Sequence, residues 1–271
     1  MRAVCTACTA LCMAAASVAL SSDLAVFNLI GFSENGRYLA WEQYGVQDGS
    51  GFPYCTVHLV DLEESSTVGK FNVLHDEPID YDPEDFRPQI EEFDRYLNPR
   101  ENEYRFWEEY ARDDTRRKAS PLMDSLGIIP GNEGRLCVHH PLTDLSDFDR
   151  IEFVTGMLSP AFEAGPRFRL VLEELKADTV EDLYWISPPK MLRLSLIWGQ
   201  DTLTLADDVR GEERELAYGY GVRDVVTYRD RYVVVVLFRW VPGFEGPDVR
   251  YRVVTGRLPR FESNWWYSNT G

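Results

Sequence analysis

Few residues of this chain have the type and spacing that chemistry needs. His139-His140 with Asp144 and Asp147 (HHPLTDLSD) is its one cluster of histidines and carboxylates. Adjacent residues on a strand point to opposite faces, so both histidines cannot reach one metal without a turn. His-x-His and His-x-x-x-His spacings are absent, and His58 and His75 lie far away in the sequence. The segment reads as a loop entry, with one histidine packed and Asp144 capping a turn. Gly45–Pro53 (GVQDGSGFP) offers Gln47, Asp48 and Ser50 as oxygen donors, but lacks the further carboxylates and closing glutamate of a calcium loop. Asp48-Gly49-Ser50-Gly51 is no nucleophile elbow, because that motif needs glycine two residues before the serine and a strand-to-helix turn. No catalytic residue, metal ligand or cofactor is assigned.

Binding chemistry is better served. Gly45–Pro53 and Val241–Asp248 (VPGFEGPD) each set an aromatic ring and a carboxylate among glycines. Both are longer than a hairpin requires. The binding candidates are therefore Asp48, Ser50 and Phe52 in the first loop, and Phe244, Glu245 and Asp248 in the second. The competing reading folds Phe52 and Phe244 back as plugs over the sheet ends. Trp41, Trp198, Trp240, Trp265 and Trp266 all fall in β segments, where core packing is the main expectation and stacking on a sugar or a partner peptide the alternative.

The elements that position these loops are mainly strands. Asn35-Gly36 between Val26–Ser33 and Arg37–Tyr44 predicts a two-residue hairpin turn. Tyr54–Leu62 and Thr67–Leu74 then complete a four-stranded meander of about the size of a propeller blade. The tail repeats this pattern. Arg37-Tyr38 matches Arg231-Tyr232, His58-Leu59-Val60 falls on Arg252-Val253-Val254, and the two candidate loops coincide to within a couple of residues. Between the copies, Asp82-Pro83, Asn98-Pro99 and Ser120-Pro121 place capping side chains before prolines. They predict helices Pro83–Leu97, Pro99–Arg116 and Pro121–Leu126, the last stopped by Gly127. Further strands are predicted at Arg135–His139, Arg150–Gly156, Arg167–Leu175, Asp182–Ile186, Met191–Trp198 and Thr202–Ala206, with Asn264–Tyr267 closing the domain. Tyr232–Phe238 is continuously apolar and should be a central strand covered on both faces. The expected architecture is mainly β, with antiparallel sheets of blade-like (propeller-like) hairpins and a helical insertion at about 83–126. A β-sandwich is the alternative.

Composition narrows the function classes. The chain has 271 residues, a formal net charge of −17 and 44% hydrophobic residues, so it can bury a core but repels phosphate backbones and anionic lipid. Met1-Arg2, the uncharged run Ala3–Leu20 and the small-x-small site Ala19-Leu20-Ser21 read as a signal peptide. The alternatives are an uncleaved membrane anchor or a lipoprotein. No later stretch is long enough to span a bilayer. The expected division is 1–21 as signal and 22–271 as a single domain, which leaves Cys55 and Cys137 as the mature cysteines, read as free buried thiols.

GFSENGRYLAWEQYGVQDGSGFPY near the N-terminus, HHPLTDLS in the middle and PGFEGPDVRYRVVTGRL at the end resemble an uncharacterised bacterial family known only as predicted secreted proteins. That resemblance implies no activity and no catalytic residue. GFSENGRYLAW followed by VHLVDLE is also similar to the blade repeats of periplasmic propellers, a pattern the chain leaves after its first blade. The sequence thus reads as a secreted or periplasmic, non-enzymatic binding module for an unknown envelope or extracellular partner. An envelope glycan or peptide hydrolase using unidentified carboxylates is the alternative. The expected mature protein begins near Ser22, which intact-mass measurement of the exported chain checks; retention of Met1–Leu20, or a lipid mass on a cysteine, would count against it.

Overall fold

The computed structural model describes residues 23–76, 99–142, 150–155, 166–177, 186–210 and 215–260. The chain is mainly β, with antiparallel strands in three four-stranded sheets. The first sheet is a meander of β1 (Val26–Phe32), β2 (Tyr38–Val46), β3 (Pro53–Asp61) and β4 (Ser66–Leu74). Helix α1 (Pro99–Ser125) follows, then β5 (Arg135–His139). The third sheet is the meander β6 (Arg150–Val154), β7 (Arg167–Lys176), β8 (Lys190–Trp198) and β9 (Asp201–Asp207). The middle sheet has the order β12-β11-β10-β5, from β10 (Gly219–Tyr228), β11 (Tyr232–Pro242) and β12 (Pro247–Arg257).

Strand β11 sets the layering. Its Tyr232, Val234, Val236 and Phe238 join one core cluster with Phe27, Phe32, Leu39 and Trp41 of the first sheet. Its Val233, Val235 and Leu237 join another with Phe168, Leu170, Leu194 and Leu196 of the third. A strand without a polar face must be covered twice, so the middle sheet is held between the other two. The two ends of the chain share a meander. β2 and β11 begin at the matched tyrosines Tyr38 and Tyr232, and β3 and β12 at the matched prolines Pro53 and Pro247. The fourth strand differs, since β4 pairs with β3 whereas β5 pairs with β10. The described strands close no barrel.

Two local expectations are corrected. The Asn35-Gly36 turn is not a two-residue hairpin: Ser33 N–H reaches Tyr38 O at 2.8 Å, with four residues between. Only Gly36 has positive φ (76°), and Asn35 Oδ1 accepts from Arg37 N–H (2.9 Å) and Ser33 Oγ (2.8 Å) instead of leaving the turn to backbone alone. A side chain at Gly36 would also strike Tyr228, whose ring stacks on Phe32 at 4.2 Å. Secondly, Pro99–Arg116 and Pro121–Leu126 are one helix of 27 residues with Pro121 inside it. Proline removes the N–H that would bond the Arg117 carbonyl, and Ser120 Oγ donates to that carbonyl at 3.1 Å. The helix ends at Gly127 as expected, with Ile128 N–H closing on Met123 O at 3.0 Å. Pro83–Leu97, most of Asp182–Ile186 and Asn264–Tyr267 lie outside the described residues.

The helix covers the outer face of the first sheet. Ala111, Thr115 and Ala119 keep its contact side small, and Met123 packs with Ala40, Cys55, Val57 and Leu59. Glu42, in the middle of β2, points into this interface with no solvent exposure. Its Oε1 accepts from Arg112 Nε (3.0 Å) and Nη2 (2.9 Å), Arg116 Nη2 (2.6 Å) and Asn28 Nδ2 (3.0 Å), and its Oε2 from Arg116 Nε (2.8 Å). Two guanidiniums and an amide thus replace the water that the carboxylate lost. Glu42→Ala leaves both arginines facing a buried gap. The expected loss is about 3 kcal/mol or more of unfolding free energy, read from urea unfolding; a loss below about 1 kcal/mol would show that the helix docks by apolar contact alone.

Candidate functional site: the loop end of the first and middle sheets

The predicted binding residues lie where the β2–β3 and β11–β12 hairpins end side by side. The first loop runs between the paired Val46 and Pro53, and the second between the paired Pro242 and Pro247. The second is therefore Gly243–Gly246, shorter than the expected Val241–Asp248. Prolines tolerate a ladder terminus because no N–H is required of them there. The loops touch: a Cβ on Gly49 (φ 82°) would sit 2.9 Å from the Phe244 ring. Phe244 is nonetheless 75% exposed, and Glu245 beside it is exposed as well. Phe52 is half-buried. Ser50 Oγ donates to Gln47 Oε1 (3.1 Å) and accepts from Phe52 N–H (3.3 Å), which shapes the loop from inside. Asp48 carries a buried Oδ2 without a hydrogen-bond partner among the described residues.

Asp248 belongs to a latch beneath the loops. Residues 23–25 run along the free edge of β12, with Val249 N–H donating to Asp23 O (2.9 Å) and Ala25 N–H to Val249 O (3.2 Å). Asp248 Oδ1 accepts from Asp23 N–H at 3.1 Å. Arg250 Nη2 bridges Asp23 Oδ2 (2.6 Å) and Asp248 Oδ2 (3.1 Å), and Tyr54 O–H donates to Asp23 Oδ1 (3.2 Å). Burial raises the pKa of Asp23 above the ordinary carboxylate range, against the lowering effect of Arg250. Asp248 is raised as well, first by burial and further by Asp48. Burial likewise raises the Tyr54 phenol, with Arg250 opposing and Asp23 adding to the rise. Both aspartates therefore spend their oxygens on holding residues 23–25 against β12.

Beside the latch, Gln43, Gln47, Tyr54, Thr56, Asn72, Val73, Leu74 and Arg250 line an open groove of about 240 Å³. The ladder explains its composition. Gln43 pairs with Thr56 and Thr56 with Asn72, so three polar side chains cross β2, β3 and β4 in one row on the face turned toward the middle sheet. One step along that face Trp41 stacks on His58, centroids 4.1 Å apart and planes 1° apart. Gln43 Oε1 also accepts from Tyr251 N–H across the sheets at 3.0 Å. Sequence reasoning missed the latch and the row. An isolated Gln, Thr and Asn give no signal until the strand register aligns them, and Asp23 and Arg250 are 227 residues apart.

The histidine motif divides. His139 Nδ1 lies 2.6 Å from Asp224 Oδ1, its ladder partner, while His140 Nδ1 lies 3.2 Å from Val222 O. Asp144 and Asp147 are outside the described residues. Among the described residues no group of three or more His, Cys, Asp or Glu could hold a metal ion. Cys55 and Cys137 are both free, with the Cys55 thiol pushed up to about 12 by burial and by Glu42.

Three stacked antiparallel sheets with two long hairpin ends latched together define a mainly-β class of protein. The chain belongs to the family described as predicted secreted protein (DUF2259), whose model matches residues 40–257. No curated protein and no solved structure matches it. No helix among the described residues is long and apolar enough to cross a membrane.

His58 gives this region a pH signature. Burial, with Lys70 and Arg239 adding to it, lowers its pKa from 6.5 to about 4. Between those values the unfolded chain binds a proton that the folded chain refuses, so this contribution to stability falls as pH drops from 6.5 toward 4. His58→Phe keeps a ring against Trp41 and removes the titration. The expected result is that the variant's melting temperature rises relative to the parent's as pH falls through this window; parallel curves would remove His58 from the account.

Proposed function

We propose that this secreted-family protein is a non-enzymatic binding module that engages an envelope or extracellular partner through its latched loop end. The observation that carries the reading is Phe244, a large ring left 75% exposed at the tip of a hairpin whose base is fixed. Aromatic anchors on a rigid support lose little conformational freedom on binding and dominate interface energetics. Arg250, Asp23, Asp248 and Tyr54 supply that support, and Gly49 lies close to the ring. Function carried by loops on packed sheets is the common arrangement.

The carboxylates nearest the groove favour binding over hydrolysis. Asp23 and Asp248 share one guanidinium nitrogen, and both are largely buried. General acid or base work needs an oxygen within reach of substrate, and these oxygens hold protein donors instead. An acidic protein of net charge −17 also selects against polyanionic partners at this surface.

The test is retention of the exported protein on sedimented cell-envelope fraction, comparing the parent with Phe244→Ala. The exposed ring contributes little to folding, so melting should be unchanged within about 2 °C. Retention should fall about tenfold, the scale expected for loss of an anchor residue. Equal retention of the two proteins would remove the loop end from the interaction.

A further inference from the structure

The row Gln43–Thr56–Asn72 makes the neighbouring groove a site with its own chemistry. Amide and hydroxyl groups sit on three adjacent strands, and neighbouring strands lie about 4.8 Å apart, close to the width of one pyranose ring. Thr56 and Asn72 make no side-chain hydrogen bond with any described residue. Each position offers both a donor and an acceptor. The groove's one ionised lining residue, Arg250, is already neutralised by Asp23 and Asp248. Arg250 is thus taken up and cannot reward an anion, and each oxygen of the two aspartates already holds a protein donor, so the fitting ligand is polar and uncharged. Tyr54 and Leu74 at the next rung add apolar surface on the same side.

A second observation lies one rung deeper. Trp41 is 4% exposed, yet its indole Nε1–H has no partner among the described residues, and neither has His58 Nε2. Buried polar atoms of this kind are rare in folded proteins and call for a partner. Trp41 and His58 form the rung next to Gln43 and Thr56 on the same sheet face, beside a groove lined by hydroxyl- and amide-bearing side chains. Clustered hydroxyls, each donor and acceptor at once, satisfy this set better than a peptide backbone, which would pair along a strand edge and not across a sheet face.

We infer that the groove between the first and middle sheets binds a neutral saccharide, with Asn72 and Thr56 hydrogen-bonding its hydroxyls and Tyr54 against its ring. The assignment deepens the binding-module reading, rests on it, and names the ligand class. The unpartnered indole also supplies a reporter, because Trp41 emission should change as the groove fills.

The full exported chain is titrated with cellotetraose, maltotetraose and triacetylchitotriose, followed by tryptophan fluorescence and calorimetry. At least one should bind with Kd of about 1 mM or tighter. Asn72→Ala and Thr56→Val should each weaken that binding about tenfold with unchanged melting, since both side chains lack protein partners. A fluorescence-silent titration of all three up to about 10 mM overturns the inference, as does binding that both variants leave intact. Preferential binding of an unstructured peptide at the same site overturns it too. The two readings separate cleanly: envelope retention that depends on Phe244 without any saccharide binding leaves the module and discards the sugar. Saccharide binding sensitive to Asn72, with retention indifferent to Phe244, keeps the groove and discards the loop tip.

Discussion

The double burial of β11 is the constraint on which the rest of the structure depends. Seven consecutive residues, Tyr232 to Phe238, are buried, and they alternate between two separate cores. Burying a Val, Leu or Phe side chain contributes about 1.5–3 kcal/mol, so leaving either face uncovered forfeits several such terms together. The first and third sheets are therefore obligatory neighbours of the middle one. The helix then answers the same need on the outer face of the first sheet.

Layers stacked this way create a second problem, because strands carry polar residues into the interfaces. Three of these cases resolve as ion pairs. Glu42 meets Arg112 and Arg116, Asp208 meets Arg252 at 2.8 Å, and Asp23 with Asp248 meets Arg250. Such groups add little net stability over well-packed apolar residues, while removing one partner is costly. What they supply is position. Glu42 fixes where the helix sits along β2, and the Asp23 latch fixes where the chain enters the first sheet. At the loop end this polar pinning adds to the apolar packing of Ala25, Val249 and Tyr54, while Phe244 is left largely exposed.

The groove is a by-product of the same stacking. Along the inner face of the first sheet, Leu39, Val60 and Leu62 pack on the middle sheet, while Gln43, Thr56 and Asn72 of the same face line an open groove. The change from apolar to polar along one face marks where the second layer stops covering the first. Thr56 and Asn72 at that boundary have no side-chain hydrogen bond to a described residue, which leaves them available to a ligand.

Much of this was legible in the sequence. Alternation and turn residues located β1 to β9 to within a residue or two, the apolar run 232–238 announced a strand covered twice although β11 runs on to Pro242, and the matched Arg-Tyr pairs announced the shared meander. These are local properties, set by pleat, propensity and glycine, and a linear reading can follow them. The two loops were also found, because glycine with an aromatic is a local signal. Pro121 misled it, since the missing hydrogen bond is replaced by Ser120 in a way that spacing does not reveal. Only tertiary structure decided which strands share a face across a ladder, and hence that Gln43, Thr56 and Asn72 form one row. It alone brought Asp23 to Arg250 and turned Glu42 from an odd residue in an apolar strand into the seat of a helix. The physical reason is that register and layer contact join residues by space, where their separation along the chain carries no record of it.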